Sequence, residues 1–146
     1  MAWLHGWEYS RGYGLDYTFE AYVARSIGEF ALALRDDPDA GRVWIAEDED
    51  GIAGCIAVTR SSETHGMLHW FLVAERARGQ GLGRRLLSEA IEYARERFDT
   101  VGLETFSELT TAGHLYRSVG FRLRDSTPQA EWGREINLQR YDIRFG

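Results

Sequence analysis

The sequence predicts a layered fold of the α+β or mixed α/β class, with strands and helices intermixed along the chain. Three observations carry this. Short apolar, β-branched runs recur at strand length, two segments repeat their apolar residues with helical period, and glycines or prolines punctuate the joins. At 146 residues and 44% hydrophobic composition the chain reads as one domain over 1–146, long enough to bury a core. No repeat, low-complexity tract or linker interrupts it.

The chain opens on an aromatic segment, WLHGWEYSRGYG. From Thr18 to Arg35 the residues Phe19, Tyr22, Val23, Ile27, Phe30, Ala31 and Leu34 share one face of a helix. Asp16 can cap its start, and Pro38 cannot continue it. Val43 to Glu47 and Ile52 to Arg60 form a hairpin through Asp50-Gly51, a pair suited to positive backbone angles. Met67 to Val73 is a third apolar run, expected as a central strand. Gly83 to Phe98 is the clearest helix, with Leu86, Leu87, Ala90, Ile91 and Ala94 inward. Val101 to Phe106 is a strand, and Thr111 to Val119 a helix closed by Gly120. Phe121 to Asp125 and Ile136 to Phe145 complete the sheet, the last with a phase change at Gln139 and Arg140 that predicts a bulge.

Composition removes several function classes. Net charge is −6, the opposite of a nucleic-acid footprint. All 17 basic residues are arginine, so Schiff-base chemistry and a Walker-type phosphate lysine are excluded. Cys55 stands alone in an apolar run, and the opening lacks the pattern of a signal peptide. With no apolar stretch near the roughly 20 residues of a membrane span, the expectation is a cytoplasmic protein without a membrane partner. His65 and His69, about 13 Å apart along a strand, are too far separated for one metal, and no metal site is expected.

The stretch Arg76-Ala77-Arg78-Gly79-Gln80-Gly81-Leu82-Gly83-Arg84-Arg85 lies between a strand and a helix. Unpaired N–H groups at a helix start carry positive potential, and glycines let an anion approach the backbone, so this loop can cradle a phosphate or pyrophosphate. Four arginines reinforce it. The spacing fits neither the Walker loop nor the dinucleotide fingerprint. A plain glycine turn into a helix is the alternative at this point.

Arg78-x-x-Gly81-x-Gly83 between a strand and an amphipathic helix resembles the acyl-CoA loop of the GCN5-related N-acetyltransferases (GNAT). Leu115-Tyr116-Arg117-Ser118-Val119-Gly120-Phe121 is similar to that family's LY-x-x-x-GF signature. The flanking pieces WEYSRGYGLDYTFEAYVARSIGEF and EWGREINLQRYDIRF resemble the acetyltransferase half of MarR-type regulator fusions. The resemblance implies a mixed, mostly antiparallel sheet flanked by helices, whose first strand would be the very short Ala2 to His5, with a splayed parallel strand pair that holds acetyl-CoA as co-substrate.

It further implies residue roles. Backbone amides of Arg78, Gly79, Gln80, Gly81, Leu82 and Gly83, with the Arg78 and Arg84 side chains, bind pyrophosphate. Phe71, Leu72 and Val73 end the strand that splays from Val101 to Phe106, and the thioester sits near Val73. Tyr116 matches the tyrosine that protonates the departing thiolate, with aromatic packing as its other reading. His69 and Glu104 interrupt apolar strands and are the candidates for a base, with deprotonation through water as the alternative and Glu63 or His65 as weaker substitutes. Ser107 and Leu109 stand where an asparagine often contacts the cofactor. Trp3, Trp7, Tyr9, Tyr13, Tyr17 and Tyr22 either line an acceptor pocket or pack the first helix.

These readings converge on an acetyl-CoA-dependent N-acetyltransferase acting on a primary amine, carried by a small molecule or a protein. A non-catalytic acyl-CoA sensor is the alternative, and a homodimer is compatible with the family.

Overall fold

The computed structural model describes residues 1–146. Helix α1 (Ala2–Tyr13) and helix α2 (Tyr17–Asp36) come first, followed by the hairpin β1 (Gly41–Asp48) and β2 (Gly51–Arg60) and the strand β3 (His65–Val73). Then come α3 (Leu82–Arg95), β4 (Thr100–Phe106), α4 (Thr110–Ser118), β5 (Arg122–Glu131) and β6 (Arg134–Arg144). The six strands form one sheet in the order β1-β2-β3-β4-β6-β5, antiparallel throughout except for the parallel pair β3–β4. None of the helices is long and apolar enough to cross a membrane.

Alternation along the central strands builds a core on each face. Ile56, Val58, Val101 and Leu103 meet Leu87, Ala90 and Ala94 of α3 and Tyr116 of α4. Cys55, Leu72, Phe106 and Ile136 meet Leu4 and Tyr9 of α1 and Phe19 and Val23 of α2. Strand β2 is buried on both faces, as its unbroken apolar run requires.

The opening segment is helical, where a short strand was expected. Leu4, His5 and Tyr9 point inward at helical spacing, and Trp3 stacks on Trp7 one turn away. A Cβ on Gly6 would come within 2.8 Å of the Glu20 Cβ, so the glycine lets α1 lie directly on α2. Asp16 caps α2 as expected, accepting a 2.9 Å hydrogen bond from the Thr18 N–H. Strand β5 runs on to Glu131, beyond the expected Asp125, and nearly all of it is exposed. An edge strand paired only with β6 has no apolar face to betray it, and it tolerates Pro128.

The bulge expected in β6 lies on its neighbour. Strand β6 pairs with β4 without interruption, whereas on β5 Leu123 faces Tyr141 and Asp125 faces Arg140, leaving Arg124 as the extra residue. The apolar phase of β6 changes for another reason. Ile136 belongs to the core under α1 and α2, and Tyr141 and Ile143 to the core under α3 and α4 on the other face.

Candidate active site

Strands β3 and β4 pair only from His65 with Thr100 to Leu68 with Leu103. Beyond that point they diverge. The cause is visible in β3: Cys55 pairs with Leu72 and Ala57 with His69, so Trp70 and Phe71 together oppose Ile56. Trp70 takes φ of 51°, a left-handed backbone that a bulky residue rarely adopts, and this bulge bends the end of β3 away from β4. The Cys55 thiol donates to the Trp70 carbonyl and the Trp70 indole N–H to the Ser26 hydroxyl, holding both sides of the bend.

One cavity, of about 490 Å³, opens along this gap to the glycine loop. Phe71, Leu72, Val73, Arg78, Gly79, Gly81, Leu82, Gly83, Arg84 and Tyr116 border it, together with Leu109 and Tyr13. Gly79 and Gly81 have φ of 77° and 81°, and Gly81 ends the loop without any side-chain cap on α3. The first-turn N–H groups of α3 therefore face the cavity with their partial positive charge unanswered by a carboxylate. Arg78 donates to the Val73 carbonyl and to Glu8 of α1, and Arg84 borders the cavity. Arg76 and Arg85, the other two arginines of the loop, are held away by Asp48 and Glu89. Gln80 and Ser107 do not border the cavity, and the Ser107 N–H bonds the Asn137 carbonyl instead.

A second cavity, of about 150 Å³, lies on the other side of the gap between α1, α2 and the β5–β6 turn. It brings together His69 and Glu104 with Phe19, Tyr22, Trp70, Trp132 and Tyr116. Burial holds the His69 imidazole below its usual pKa, only partly offset by Glu104, so the ring is neutral at pH 7 with a nitrogen free to take a proton. The Glu104 carboxylate is half exposed and accepts a 3.2 Å hydrogen bond from Arg140. His65 lies at the closed end of the parallel pair, bonded to Thr100, and neither it nor Glu63 reaches either cavity.

The two cavities share Tyr9, Phe71, Leu109 and Tyr116. Their junction thus lies at Phe71, two residues before Val73. Tyr116 is buried among Phe71, Phe121 and Tyr141, and that burial raises its phenol far above the ordinary range, so it stays protonated at any working pH. Of the early aromatics, Tyr9, Tyr13 and Tyr22 line the cavities, whereas Trp3, Trp7 and Tyr17 remain exposed. Sequence reasoning missed His5 and Thr105, both buried against the second cavity. Their signal lies in tertiary packing, since a lone histidine on a short helix and a threonine in a strand are unremarkable.

Residues 7–121 match the model of the acetyltransferase (GNAT) family. The chain belongs to the GNAT acetyltransferases. An uncharacterised N-acetyltransferase of Schizosaccharomyces pombe is 32% identical over 119 residues, covering 79% of this chain and 71% of that protein. A probable N-acetyltransferase, camello, of Xenopus laevis is 32% identical over 117 residues. That match covers 75% of this GNAT chain but only 53% of the frog protein, so the chain spans about half of that relative's length. Among solved structures, a ribosomal-protein-alanine N-acetyltransferase from Brucella melitensis superposes with a TM-score of 0.68 at 26% identity, over 83% of this chain and 78% of that one. A GNAT acetyltransferase from Elizabethkingia anophelis with acetyl-CoA bound shares the fold, with a TM-score of 0.60 at 22% identity over 77% of this chain and 82% of that one.

Proposed function

We propose that this chain transfers the acetyl group of acetyl-CoA to a primary amine, the amine attacking the thioester directly while both substrates are bound. The observation that carries the proposal is the meeting of two unlike cavities at Tyr116, one reaching the uncapped start of α3 and the other lined by aromatic rings, His69 and Glu104. Acetyl-CoA supplies the activated carbonyl and a thiolate leaving group. The amides from Arg78 to Gly83, with Arg78 and Arg84, hold its pyrophosphate. Phe71, Leu72 and Val73 hold the pantetheine arm along the splayed end of β3, as an added strand is held.

In the second cavity, neutral His69 accepts a proton from the amine, directly or through water, with Glu104 drawing the cation in. Tyr116, kept protonated by burial, donates a hydrogen bond to the departing sulfur and passes its proton to the thiolate as it leaves, while the proton that His69 took from the amine returns through water to the phenol, so no buried phenolate persists. No nucleophilic side chain is required, which leaves Cys55 a packing residue. The reaction suits a reducing, cytoplasmic setting in which that thiol stays free.

The test is calorimetric titration with acetyl-CoA of protein freed of copurified CoA, beside a Gly81→Glu variant that places a carboxylate against the pyrophosphate. Micromolar binding lost in the variant, followed by amine-dependent CoA release, is the expected result. Binding without turnover on any amine would favour an acyl-CoA sensor, the role suggested by the likeness to MarR-type regulator fusions. Absence of binding by the folded, cofactor-free protein would remove both readings.

A further inference from the structure

Two buried side-chain polar atoms in the chain lack a hydrogen-bond partner: His5 Nε2 and Thr105 Oγ1. One belongs to α1 and the other to β4, and the residues that carry them, His5 and Thr105, both line the small second cavity. His5 is 2% exposed and Thr105 7%. Leaving such a group unpaired carries its full desolvation penalty, which Phe and Val at these positions would remove. The His5 Nδ1 lies 2.9 Å from the Met1 carbonyl oxygen and must donate to it, so Nε2 is left as a lone pair that needs a donor. The Thr105 hydroxyl can donate or accept.

The rest of the cavity restricts what can supply those bonds. Its walls include Phe19, Tyr22, Trp70 and Trp132, and its volume of about 150 Å³ matches a space that takes one benzene ring. Glu104 is its only formally charged lining residue, and no arginine borders it. Arg140 holds the Glu104 carboxylate from outside the lining, so within the chamber a ligand carboxylate meets a carboxylate and no cation, whereas an ammonium group meets that carboxylate and aromatic faces. A long polyamine or a peptide would place only one end in the chamber and leave the rest outside it, gaining less from its walls than a compact amine that fits within.

We propose that the acceptor is a compact primary amine, built on one ring or a short branched chain, bearing a hydroxyl or N–H donor and no carboxylate, and recognised by His5 Nε2 and Thr105 Oγ1. This rests on the second cavity being the acceptor site of the acetyl transfer proposed above.

Tyramine is the probe, with tyrosine as the same ring carrying a carboxylate and spermidine as the extended polyamine. Binding is measured by calorimetry and ligand-observed saturation transfer, on both the free and the CoA-loaded protein, so that it is read without turnover. Tyramine is expected to bind at least tenfold more tightly than tyrosine or spermidine. His5→Phe and Thr105→Val should each weaken tyramine about fivefold; the thermal midpoint of Thr105→Val, which gives up no hydrogen bond, stays level or rises, whereas His5→Phe also gives up the bond to the Met1 carbonyl and is read by affinity alone. A purely structural role would do the reverse, lowering the midpoint and sparing affinity. If His5→Phe fails to fold, the near-isosteric Thr105→Val carries the test alone. Preference for tyrosine or spermidine, no tyramine binding in either state, or unchanged affinity in the variants would overturn the inference. Loss of acetyl-CoA binding in the separate titration would overturn the transferase reading while leaving the amine measurement intact.

Discussion

Two glycines at the start of α3, two residues apart, should respond to alanine in opposite ways. Gly81 holds φ of 81° with nothing within 4 Å of the point where a Cβ would sit, so Gly81→Ala meets backbone strain and no clash. A left-handed alanine costs about 1–2 kcal/mol, which in a domain near 150 residues lowers Tm by about 2–8 °C. If the loop relaxes to escape the strain, acetyl-CoA must restore it, and affinity falls by the same energy, about 5- to 30-fold. Gly81→Asn should lose less, since asparagine enters this region more readily. Gly83 has ordinary helical geometry at the second position of α3, where alanine gains up to about 1 kcal/mol. Its Cβ would sit 3.4 Å from Leu115 Cδ1 and Val73 Cγ2 and 3.5 Å from Phe71 Cζ, an ordinary contact. Those three residues border the larger cavity, so the methyl narrows the ligand's path. Gly83→Ala should therefore melt at the wild-type temperature or a few degrees higher and bind acetyl-CoA more weakly. Thermal unfolding with parallel calorimetry reads both quantities. A Gly83→Ala protein destabilised as much as Gly81→Ala, or one binding acetyl-CoA normally, would refute this account of the loop.

Further outcomes follow from the buried groups. Tyr116→Phe should lower kcat by about 10²- to 10⁴-fold with little change in Tm, and a change confined to KM in steady-state assays would count against the proton-donor role. Burial lowers the His5 pKa from 6.5 to about 4, against the opposing pull of the Met1 carbonyl, and the unfolded chain therefore takes up the proton first as pH falls. Above pH 6.5 the ring is neutral in both states and costs nothing by ionisation; as pH falls toward 4 the native state loses on the order of 3 kcal/mol relative to the unfolded chain, so urea unfolding of His5→Phe should show a shallower acid slope than wild type. Burial pushes the Cys55 thiol up to about 11, and the native protein should resist thiol reagents at pH 8 that react at once with the unfolded chain. If native Cys55 reacts rapidly, the packing around the Trp70 bend is looser than described.

Much of the fold could be read from the chain because its central elements are strongly patterned. Cys55 to Val58 must be buried on both faces, and the α3 stripe has one apolar side, so neither segment admits another placement. The glycine loop was legible because its residues serve local backbone geometry. The periphery obeys weaker rules: α1 is aromatic and glycine-containing, and its helical face is defined only by packing on α2 and the sheet. Strand β5 is polar along its length because it borders solvent. The junction at Phe71 depends on a left-handed Trp70, and nothing in the run His69 to Val73 distinguishes a bent strand from a straight one. His5 and Thr105 gain their meaning only where α1 and β4 converge.

The divergence of β3 from β4 leaves the sheet with two facing edges inside it, in addition to its outer pair. Outer edges of sheets invite pairing with foreign strands unless they are shielded, and an inner edge carries the same hazard. Here Tyr9 and Tyr13 of α1 stand over the opening, so the first helix acts as a guard as well as a wall. A pantetheine arm in the gap would complete the ladder from within, making the ligand a temporary strand of the protein. Stability would then track the supply of acetyl-CoA in the surrounding solution, rising with each increment of free ligand above its Kd, and slowed hydrogen exchange at Phe71 to Val73 would be its direct sign.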